Sequence, residues 1–223
     1  MNESGDQGST RGGVRAVIFD FGGVFIDSPF KALEQAAVDR GFSPEELTLA
    51  VFGAYDEDTD HPWHRLERGE VTVADAREEI MANHVLPDGT PLDPFELLAA
   101  LAGGGVREDM VAFCRELRSR GLGTSLLTNN AREFEEFWKP LLPLEELFDD
   151  VVDSSEVGMR KPAPEIFHLA LDRLGLGSED VLFVDDAPGN VAGAQAVGIR
   201  SVLVGPTREE LPAAIAAVEA HLG

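Results

Sequence analysis

Short apolar runs recur along the chain, and each is followed by polar residues and then by a helical pattern, which predicts strands alternating with helices. We predict strands at residues 14–20, 123–129, 150–153, 181–185 and 201–204. We predict the main helices that follow at residues 107–120, 164–174, 190–197 and 208–222. Strands that are apolar almost throughout and alternate with helices are typical of a parallel sheet covered on both faces. The pattern therefore predicts an α/β protein with a three-layer, Rossmann-like core.

One segment interrupts this alternation, and we call it the helical insert (residues 27–106). It follows the first predicted strand and contains no convincing strand of its own. Its predicted helices lie at residues 30–40, 44–52, 72–85 and 94–101. We expect a helical cap domain here, with the glycines at 103–105 as the hinge through which the chain returns. The core would then comprise residues 14–26 and 107–223, after a flexible tail at 1–13.

The charge of the chain restricts its partners. Its 223 residues include 41 acidic and 18 basic side chains, a formal net charge of -23. Such a surface repels nucleic acid and anionic membranes, so we expect neither as a partner. A phosphate group would bind only where local cations, helix N-termini or a metal ion reverse the field. The sequence has no membrane-length apolar run, no signal-peptide pattern and a single cysteine, so we expect a cytoplasmic protein.

Polar residues lie at or just after the ends of the predicted strands. A hydroxyl, an amide, an ammonium and three carboxylates occupy these positions: Thr128, Asn129, Lys161, Asp20, Asp185 and Asp186. Because the carboxyl ends of parallel strands meet at one edge of a sheet, we expect these side chains to lie together. Each alone has a structural explanation, as a turn residue, a helix cap or a surface lysine. The ordered set favours a functional site.

The chemistry of that set points to phosphoryl transfer. Three carboxylates within a few ångströms repel one another unless a cation lies among them. Mg²⁺ prefers oxygen ligands and commonly keeps waters and a substrate phosphate as further ligands. Lys161 and Thr128 are suited to holding phosphoryl oxygens, and Asp20 could attack the phosphorus to form an aspartyl phosphate. Gly22 and Gly23 would let a ligand approach the backbone closely.

At this point the sequence resembles a known family. The segments VIFDFGGV, LLTNN, GMRKPAPEIF and FVDDAPGNVAGAQAVGI are similar, in this order, to four motifs of the haloacid dehalogenase-like hydrolase superfamily. The resemblance extends over the chain after the tail, with the helical insert in the place of the family's cap. Within the superfamily the chain is most similar to small phosphatases, including the N-terminal phosphatase domain of epoxide hydrolases and sugar-phosphate phosphatases.

The resemblance implies a role for each matched catalytic residue. Asp20 would be the nucleophile and also a ligand of Mg²⁺. Thr128, helped by the backbone at Asn129, would bind the phosphoryl group. Lys161 would neutralise both the nucleophile and the phosphate.

The implied metal site includes one departure from the family pattern. Asp186 would be the second carboxylate ligand, Asp185 would bind directly or through water, and Asn190 would support their loop. Most phosphatases of the family have a second aspartate, a general acid and base, where this chain has Gly22. The Gly22 carbonyl could still bind Mg²⁺ but cannot transfer a proton. Since general acid–base catalysis contributes about 10²–10⁴-fold, we expect slow turnover, good leaving groups or a substitute acid.

The helical insert offers candidates for that acid and for contacts with substrate. Two histidines and two arginines fall close together at residues 61–68. His61 or His64 could supply the proton because histidine titrates near neutrality, and we predict His64 and Arg68 as substrate-binding residues. The alternative is a surface turn followed by a solvated helix.

The predicted function is Mg²⁺-dependent hydrolysis of a sugar phosphate or a similar small phosphorylated metabolite. One alternative is a dehalogenase, in which Asp20 attacks carbon without a metal; Asp185 and Asp186 disfavour it. A second alternative, which Gly22 keeps open, is a catalytically weak phosphate-ligand-binding or regulatory protein. A phosphomutase is disfavoured for want of the second aspartate. A monomer and a homodimer are both compatible with the sequence.

Overall fold

The protein is described here as a computed structural model that covers residues 13–101 and 105–223. The predicted tail, apart from residue 13, lies outside the described residues, and so do two of the three glycines of the predicted hinge, at positions 103 and 104.

The centre of the fold is a parallel sheet whose strands lie in the order β3-β2-β1-β4-β5. The strands are β1 (Ala16–Phe19), β2 (Gly123–Thr128), β3 (Asp150–Asp153), β4 (Val181–Asp185) and β5 (Arg200–Leu203). All five predicted strands are therefore present, with small differences at their ends. Phe19, at the end of β1, pairs with Leu126 on one side and Val184 on the other. This register brings the carboxyl ends of the central strands to the same edge.

The described residues contain twelve α-helices. Five lie between β1 and β2: α1 (Pro29–Arg40), α2 (Pro44–Phe52), α3 (Pro62–Glu67), α4 (Val73–Asn83) and α5 (Pro94–Leu101). The others are α6 (Glu108–Ser119), α7 (Glu135–Trp138), α8 (Leu144–Leu147), α9 (Ser154–Val157), α10 (Pro164–Leu174), α11 (Pro188–Ala196) and α12 (Leu211–Leu222). The predicted helices are present, whereas α3 and α7 to α9 are too short to show a clear apolar period.

Alternating side chains of the strands pack on two separate layers of helices. Val17 and Phe19 face the apolar cluster that includes α6 and α12. Ala16 and Ile18, which point to the opposite face, belong to the cluster that includes α10 and part of α11. The predicted three-layer, Rossmann-like architecture is confirmed. None of the helices in the described part of the chain has the length and apolarity that crossing a membrane requires.

The helical insert has an apolar cluster of its own, and it also contacts the core. Leu33, Val51, Trp63 and Leu97 contribute to this cluster, which Ala131 joins from the loop after β2. The two ends of the insert run side by side, because Ile26 and Val106 form an antiparallel bridge. The insert is thereby attached next to the end of β1, where the predicted site residues lie.

Buried Arg107 fixes this attachment. Its guanidinium donates to the Gly23 carbonyl and, over 3.0 Å, to the Pro206 carbonyl, and its Nε lies 3.4 Å from Asp27 Oδ1. One side chain thus connects the loop after β1 with the loop after β5.

Candidate active site

The loops after β1, β2 and β4 and the turn before α10 supply the polar side chains at the carboxyl edge of the sheet. Asp20 continues the ladder for one residue beyond β1, since its backbone N–H donates to the Val184 carbonyl over 2.8 Å. Thr128 and Asp185 are the last residues of β2 and β4. The strand register therefore places side chains that are far apart in the sequence within contact distance.

Lys161 is the centre of the cluster. Its Nζ donates to Asp20 Oδ1 over 2.6 Å, to Asp185 Oδ2 over 2.7 Å and to the Leu127 carbonyl over 2.8 Å. Burial lowers the pKa of Lys161, but the Asp185 and Asp20 carboxylates outweigh it and the pKa is raised. The lysine therefore stays charged, with all three donors used.

Asp20 and Asp186 carry the excess negative charge of the site. Burial raises the pKa of Asp20 to about 7. Lys161 lowers this pKa, and repulsion from Asp185 raises it further. Burial, with repulsion from Asp185 and Asp20, raises the pKa of Asp186 to about 8, and a hydrogen bond with Ser28 opposes that rise. The pKa of each carboxylate is thus raised mainly because the group is buried, and further because one ammonium does not balance three neighbouring carboxylates.

A divalent cation fits this donor set. Asp20, Asp185 and Asp186 each have a carboxylate oxygen within 4.8 Å of the others. Hard oxygen ligands with a net negative charge are what Mg²⁺ or a similar ion requires. The residues present therefore match the metal that the resemblance implies.

The two adjacent aspartates occupy different positions. Asp185 is fully buried, and both of its oxygens are engaged: Oδ1 accepts from the Ala187 N–H over 2.7 Å, and Oδ2 accepts from Lys161. Asn190 Nδ2 also lies 3.2 and 3.1 Å from the two oxygens. Asp186, unlike Asp185, lines the open cavity beside Asp20. Asp185 is therefore placed to hold Lys161, and Asp186 is placed to meet a ligand.

Gly22 and Gly23 differ in what a side chain would meet. A Cβ at Gly22 would contact only Asp20 Oδ2, at 3.9 Å, and its φ angle is not positive. At Gly23 the φ angle is +72° and a Cβ would lie 1.8 Å from Asp186 Oδ2. Glycine is thus required at 23 by the close approach of Asp186, whereas position 22 has room for a side chain.

Thr128 and Asn129 lie opposite the carboxylates. Both line the cavity, and Thr128 is buried at its edge. The Asn129 side chain forms two hydrogen bonds with the backbone of Lys161, donating to its carbonyl and accepting from its N–H, each over 2.9 Å. Asn129 therefore positions Lys161, a role that the sequence did not indicate.

The cavity above these residues measures about 820 Å³ and extends between the core and the helical insert. Its wall beyond the polar cluster is largely aromatic and aliphatic: Phe21, Ile26, Phe52, Tyr55, Trp63, Phe95, Leu98, Phe134, Phe137, Trp138 and Leu141. Such a volume is typical of pockets that bury drug-sized ligands.

The structure places His64 away from this cavity, against the prediction that it contacts substrate. The imidazole is fully buried, and Thr59 donates its backbone N–H to Nδ1 over 3.0 Å. Burial, with the positive charge of Arg160, lowers the pKa of His64 to about 3. A neutral imidazole enclosed in this way cannot supply a proton to a leaving group. His61 also lies outside the cavity lining, because it caps α3 by accepting the Trp63 N–H at Nδ1.

Arg68 is likewise not brought to the cavity. Its guanidinium is bound to Asp58, to the Thr59 carbonyl and, through two hydrogen bonds of 2.7 and 3.0 Å, to Glu70. The two arginines of this segment are thus explained by ion pairs within the insert, because Arg65 also pairs with Glu79 at 3.0 Å.

A buried ion pair connects the insert with the turn that holds Lys161, and the sequence did not indicate it. Arg160, the residue before Lys161, donates from Nε to Glu67 Oε2 over 2.7 Å, while Trp63 Nε1 donates to Glu67 Oε1 over 2.8 Å. Trp63 and Glu67 are four residues apart on α3, a spacing that would have placed them on one face had this short helix been predicted. Arg160, the partner of Glu67, is 93 positions away and carries no local signal.

Tyr55 is a second cavity residue that the sequence did not indicate. Burial, with the negative charge of Glu67, raises its pKa well above the usual value, and Asp186 and Asp20 add to the effect. Its phenol therefore stays protonated at neutral pH.

Comparisons of the sequence and the fold with known proteins point to the same family. The sequence profile of the haloacid dehalogenase-like hydrolases matches residues 14–198. The chain is 32% identical over 94% of its length to mouse acyl-CoA dehydrogenase family member 10, of which it covers 19%. It is 26% identical over 89% of its length to mouse bifunctional epoxide hydrolase 2, of which it covers 38%. The chain thus spans well under half of both mouse proteins.

One relative of similar length is sesquiterpene phosphatase astK of Aspergillus oryzae, 29% identical over 83% of this chain and 87% of the relative. A solved enzyme of the same family from Bacteroides thetaiotaomicron, in complex with magnesium and inorganic phosphate, shares the fold. It has a TM-score of 0.59 at 22% identity and covers 86% of this chain and 94% of its own. L-2-haloacid dehalogenase from Xanthobacter autotrophicus aligns with a TM-score of 0.57 at 25% identity, over 90% of this chain and 81% of its own.

Proposed function

Because this chain belongs to the haloacid dehalogenase-like hydrolases, whose profile it matches over residues 14–198, we propose that it hydrolyses phosphate monoesters with the help of a divalent cation. The resemblance of its four motifs to this family is confirmed by that match. Its phosphatase relatives and the bound magnesium and phosphate in the Bacteroides enzyme support the proposal.

The observation that carries the proposal is the hydrogen-bonded group of Asp20, Lys161 and Asp185. Lys161 holds Asp20 Oδ1 at 2.6 Å and is itself held by Asp185 at 2.7 Å. The carboxylate of Asp20 is thereby oriented, and its Oδ2 lies on the Gly22 side, where the cavity begins. A carboxylate fixed in this way is a suitable nucleophile for phosphorus.

The reaction would proceed in two steps on Asp20. Oδ2 attacks the phosphorus, the bond to the ester oxygen breaks, and an aspartyl phosphate and a free alcohol result. Water then attacks the phosphorus, the bond from phosphorus to Oδ2 breaks, and inorganic phosphate leaves. The carboxylate is restored, and the proton that the water loses returns to the phenolate of Tyr55. Thr128 would donate to a phosphoryl oxygen, the positive charge of Lys161 would offset the charge of Asp20 and the phosphate, and Asn129 keeps Lys161 in place.

The residues that would hold Mg²⁺ are Asp20 and Asp186, with the Gly22 carbonyl, while Asp185 supports them through Lys161 and Asn190. When bound, the ion would neutralise the carboxylates and withdraw electron density from the phosphoryl oxygens.

The proton for the leaving oxygen would come from Tyr55 rather than from a histidine. Tyr55 lines the cavity, and a phenol with a pKa of about 10 or above carries its proton at neutral pH. An alkoxide is a stronger base than a phenolate, so transfer from Tyr55 to a departing alkoxide is favourable. Tyr55→Phe should therefore slow hydrolysis of alkyl esters more than hydrolysis of p-nitrophenyl phosphate, whose leaving group needs no proton.

The test of the proposal is phosphate release from p-nitrophenyl phosphate and from a panel of natural phosphate esters, with Mg²⁺ and with chelator. We expect release that depends on the metal and is lost in Asp20→Asn. Asp180→Asn is the matched control, because Asp180 pairs with Arg15 at the opposite edge of the sheet and should leave the rate unchanged. No release from any ester, or equal release by Asp20→Asn, would reject the proposal and favour a phosphate-ligand-binding protein.

The dehalogenase alternative is less well supported by the site. Attack on carbon needs no cation, yet Asp186 adds a third carboxylate beside Asp20 and Asp185. Halide release from 2-haloacids without metal would decide in its favour.

A further inference from the structure

We infer that the leaving group of the physiological ester is an apolar alcohol, such as an alkyl, prenyl or aryl alcohol, rather than a sugar. This inference rests on the proposed hydrolysis and specifies its substrate. The volume of about 820 Å³ and the lining of the cavity carry it.

The wall beyond the polar cluster is continuous and aromatic. On the insert side, Trp63 packs edge-on against Phe52, with ring centroids 4.9 Å apart, and lies 5.9 Å from Phe95. Phe95 in turn lies 6.1 Å from Phe134 of the core. The wall thus crosses from insert to core as one apolar surface.

Two carboxylates on this wall, those of Glu67 and Asp27, are already engaged. Glu67 accepts from Trp63 and Arg160 with its two oxygens. Asp27, near the entrance, has both oxygens bound by Arg208, each over 2.9 Å. A sugar would bring several hydroxyl groups against this wall, and each buried without a partner would cost binding free energy. An apolar chain would meet no such penalty.

The mouth of the cavity is apolar as well. Phe137 and Leu141 line the cavity while 73% and 46% exposed, so the apolar surface continues from the interior to the rim. Exposed aromatic side chains at a pocket entrance are typical of a surface that meets an apolar ligand. The phosphate end of the substrate would bind at Asp20 and Lys161, with its chain along the wall toward Phe137.

A homologous series of n-alkyl phosphates tests the inference, because methyl, butyl, hexyl and octyl phosphate share nearly the same leaving-group chemistry. We expect kcat/KM to rise by roughly two- to fourfold for each added methylene, as expected from apolar transfer. Octyl phosphate should exceed butyl phosphate at least about tenfold and should exceed glucose 6-phosphate. A flat series in which glucose 6-phosphate is hydrolysed faster would overturn the inference while leaving the proposed function intact.

Binding of n-alkylphosphonates, which contain no ester bond, separates the two proposals. Calorimetry with Mg²⁺ should give a Kd that falls along the same series. If no ester is hydrolysed but phosphonate affinity rises with chain length, the proposed hydrolysis fails and the apolar ligand class stands. If affinity is independent of chain length, the inference is wrong.

Two exposed residues provide matched variants that should fold normally. Phe137→Ser removes an apolar group from the mouth and should lower the octyl-to-methyl ratio of kcat/KM several-fold. Leu49→Ser changes a side chain that is 58% exposed on α2 and does not line the cavity, so the ratio should not change. Equal ratios in both variants would contradict the placement of the chain at the mouth.

Discussion

Asn129 binds both polar groups of the Lys161 backbone with its one side chain, donating from Nδ2 to the carbonyl and accepting at Oδ1 from the N–H, each over 2.9 Å. Residues 32 positions apart are thus locked together at the point where the ammonium of Lys161 contacts Asp20.

Replacing Asn129 by alanine should therefore impair catalysis by displacing Lys161. We expect kcat/KM for phosphate release to fall by about 10–10²-fold, since misplacement of a catalytic group by about an ångström has effects of this size. Asn83→Ala is the control, because Asn83 is an exposed residue of α4 that donates to the Glu79 carbonyl. Equal rates in wild type and Asn129→Ala would show that Lys161 is held without this contact.

Removing the charge of Lys161 should destabilise the fold as well as slow the reaction. Lys161→Met leaves Asp20 and Asp185 buried without their cation, and breaking buried pairs in this way costs about 3–5 kcal/mol. Urea denaturation of metal-free protein should show this loss. Adding Asp20→Asn should recover part of it, because one of the unpaired charges is then gone.

Lys139→Met is the comparison for that experiment. Lys139 is a partly exposed lysine that pairs with Glu135 and Glu156 at 3.1 and 2.9 Å. Its loss should cost less than about 1 kcal/mol. A similar cost for both lysines would refute the view that Lys161 neutralises the buried carboxylates.

Position 22 should accept the acid that the chain lacks. Gly22→Asp introduces a carboxyl group where a Cβ meets only Asp20 Oδ2 at 3.9 Å, so the fold should tolerate it. We expect kcat for alkyl phosphates to rise by about 10-fold or more, and kcat for p-nitrophenyl phosphate to change less, because general acid catalysis matters most for poor leaving groups.

Gly23→Ala, the neighbouring substitution, should have the opposite effect. The φ angle of Gly23 is positive and a Cβ there would lie 1.8 Å from Asp186 Oδ2, so any side chain would displace Asp186, the proposed metal ligand. If kcat for alkyl phosphates is instead unchanged in Gly22→Asp, the lack of an acid at position 22 does not limit the reaction, and Tyr55 already supplies the proton efficiently.

Metal binding should stabilise the protein measurably. At a Mg²⁺ concentration of about 100 times Kd, the free energy of unfolding should increase by about 2.7 kcal/mol, as mass action requires. Thermal denaturation at increasing Mg²⁺ measures this, and Asp186→Asn should shift the response to higher concentrations.

Glu156→Gln controls for the other acidic group in the described residues, which contains Glu135, Asp153 and Glu156. Lys139 already occupies that group, so the variant should respond to Mg²⁺ as wild type does. If instead Glu156→Gln abolished the response, the metal would bind there and not beside Asp20.

His64 should affect how the free energy of unfolding changes at acid pH, but it should not affect the rate of turnover. Its pKa is about 3 in the folded chain and near 6.5 when unfolded, so at intermediate pH only the unfolded chain binds the proton. The stability that neutral His64 contributes is therefore complete above about pH 6.5 and is lost as the pH falls toward 3.

His64→Asn keeps an acceptor for the Thr59 N–H but does not titrate. Between about pH 6 and 4, the unfolding free energy of wild type should fall faster than that of the variant, by up to about 1.4 kcal/mol per pH unit. Parallel stability curves would contradict the buried, neutral state of His64. The rate of phosphate release at neutral pH should be the same in both proteins.

The contrast between Lys161 and His64 explains what the sequence could predict. Lys161 follows a predicted strand of a parallel sheet, so its place with Asp20 at the carboxyl edge was predicted from local apolar runs, although the strand order was not. The position of His64 depends on how the six residues of α3 pack inside the insert, which periodicity over so short a helix does not determine.

The aromatic wall escaped prediction for a related reason. Phe52, Trp63, Phe95 and Phe134 come from four separate segments, and each alone is indistinguishable from an ordinary core residue. Only the docking of the insert on the core turns them into one surface.

The adjacency of Arg160 and Lys161 constrains how this protein could be re-engineered. Arg160 contacts Glu67 in the insert, and Lys161, the next residue, contacts Asp20 in the core. Both contacts therefore depend on the same backbone conformation of this turn. Redesign near Glu67 would disturb the rate together with the selectivity. The rim at Phe137 and Leu141 has no such connection, and it is the place where a library for new substrates should begin.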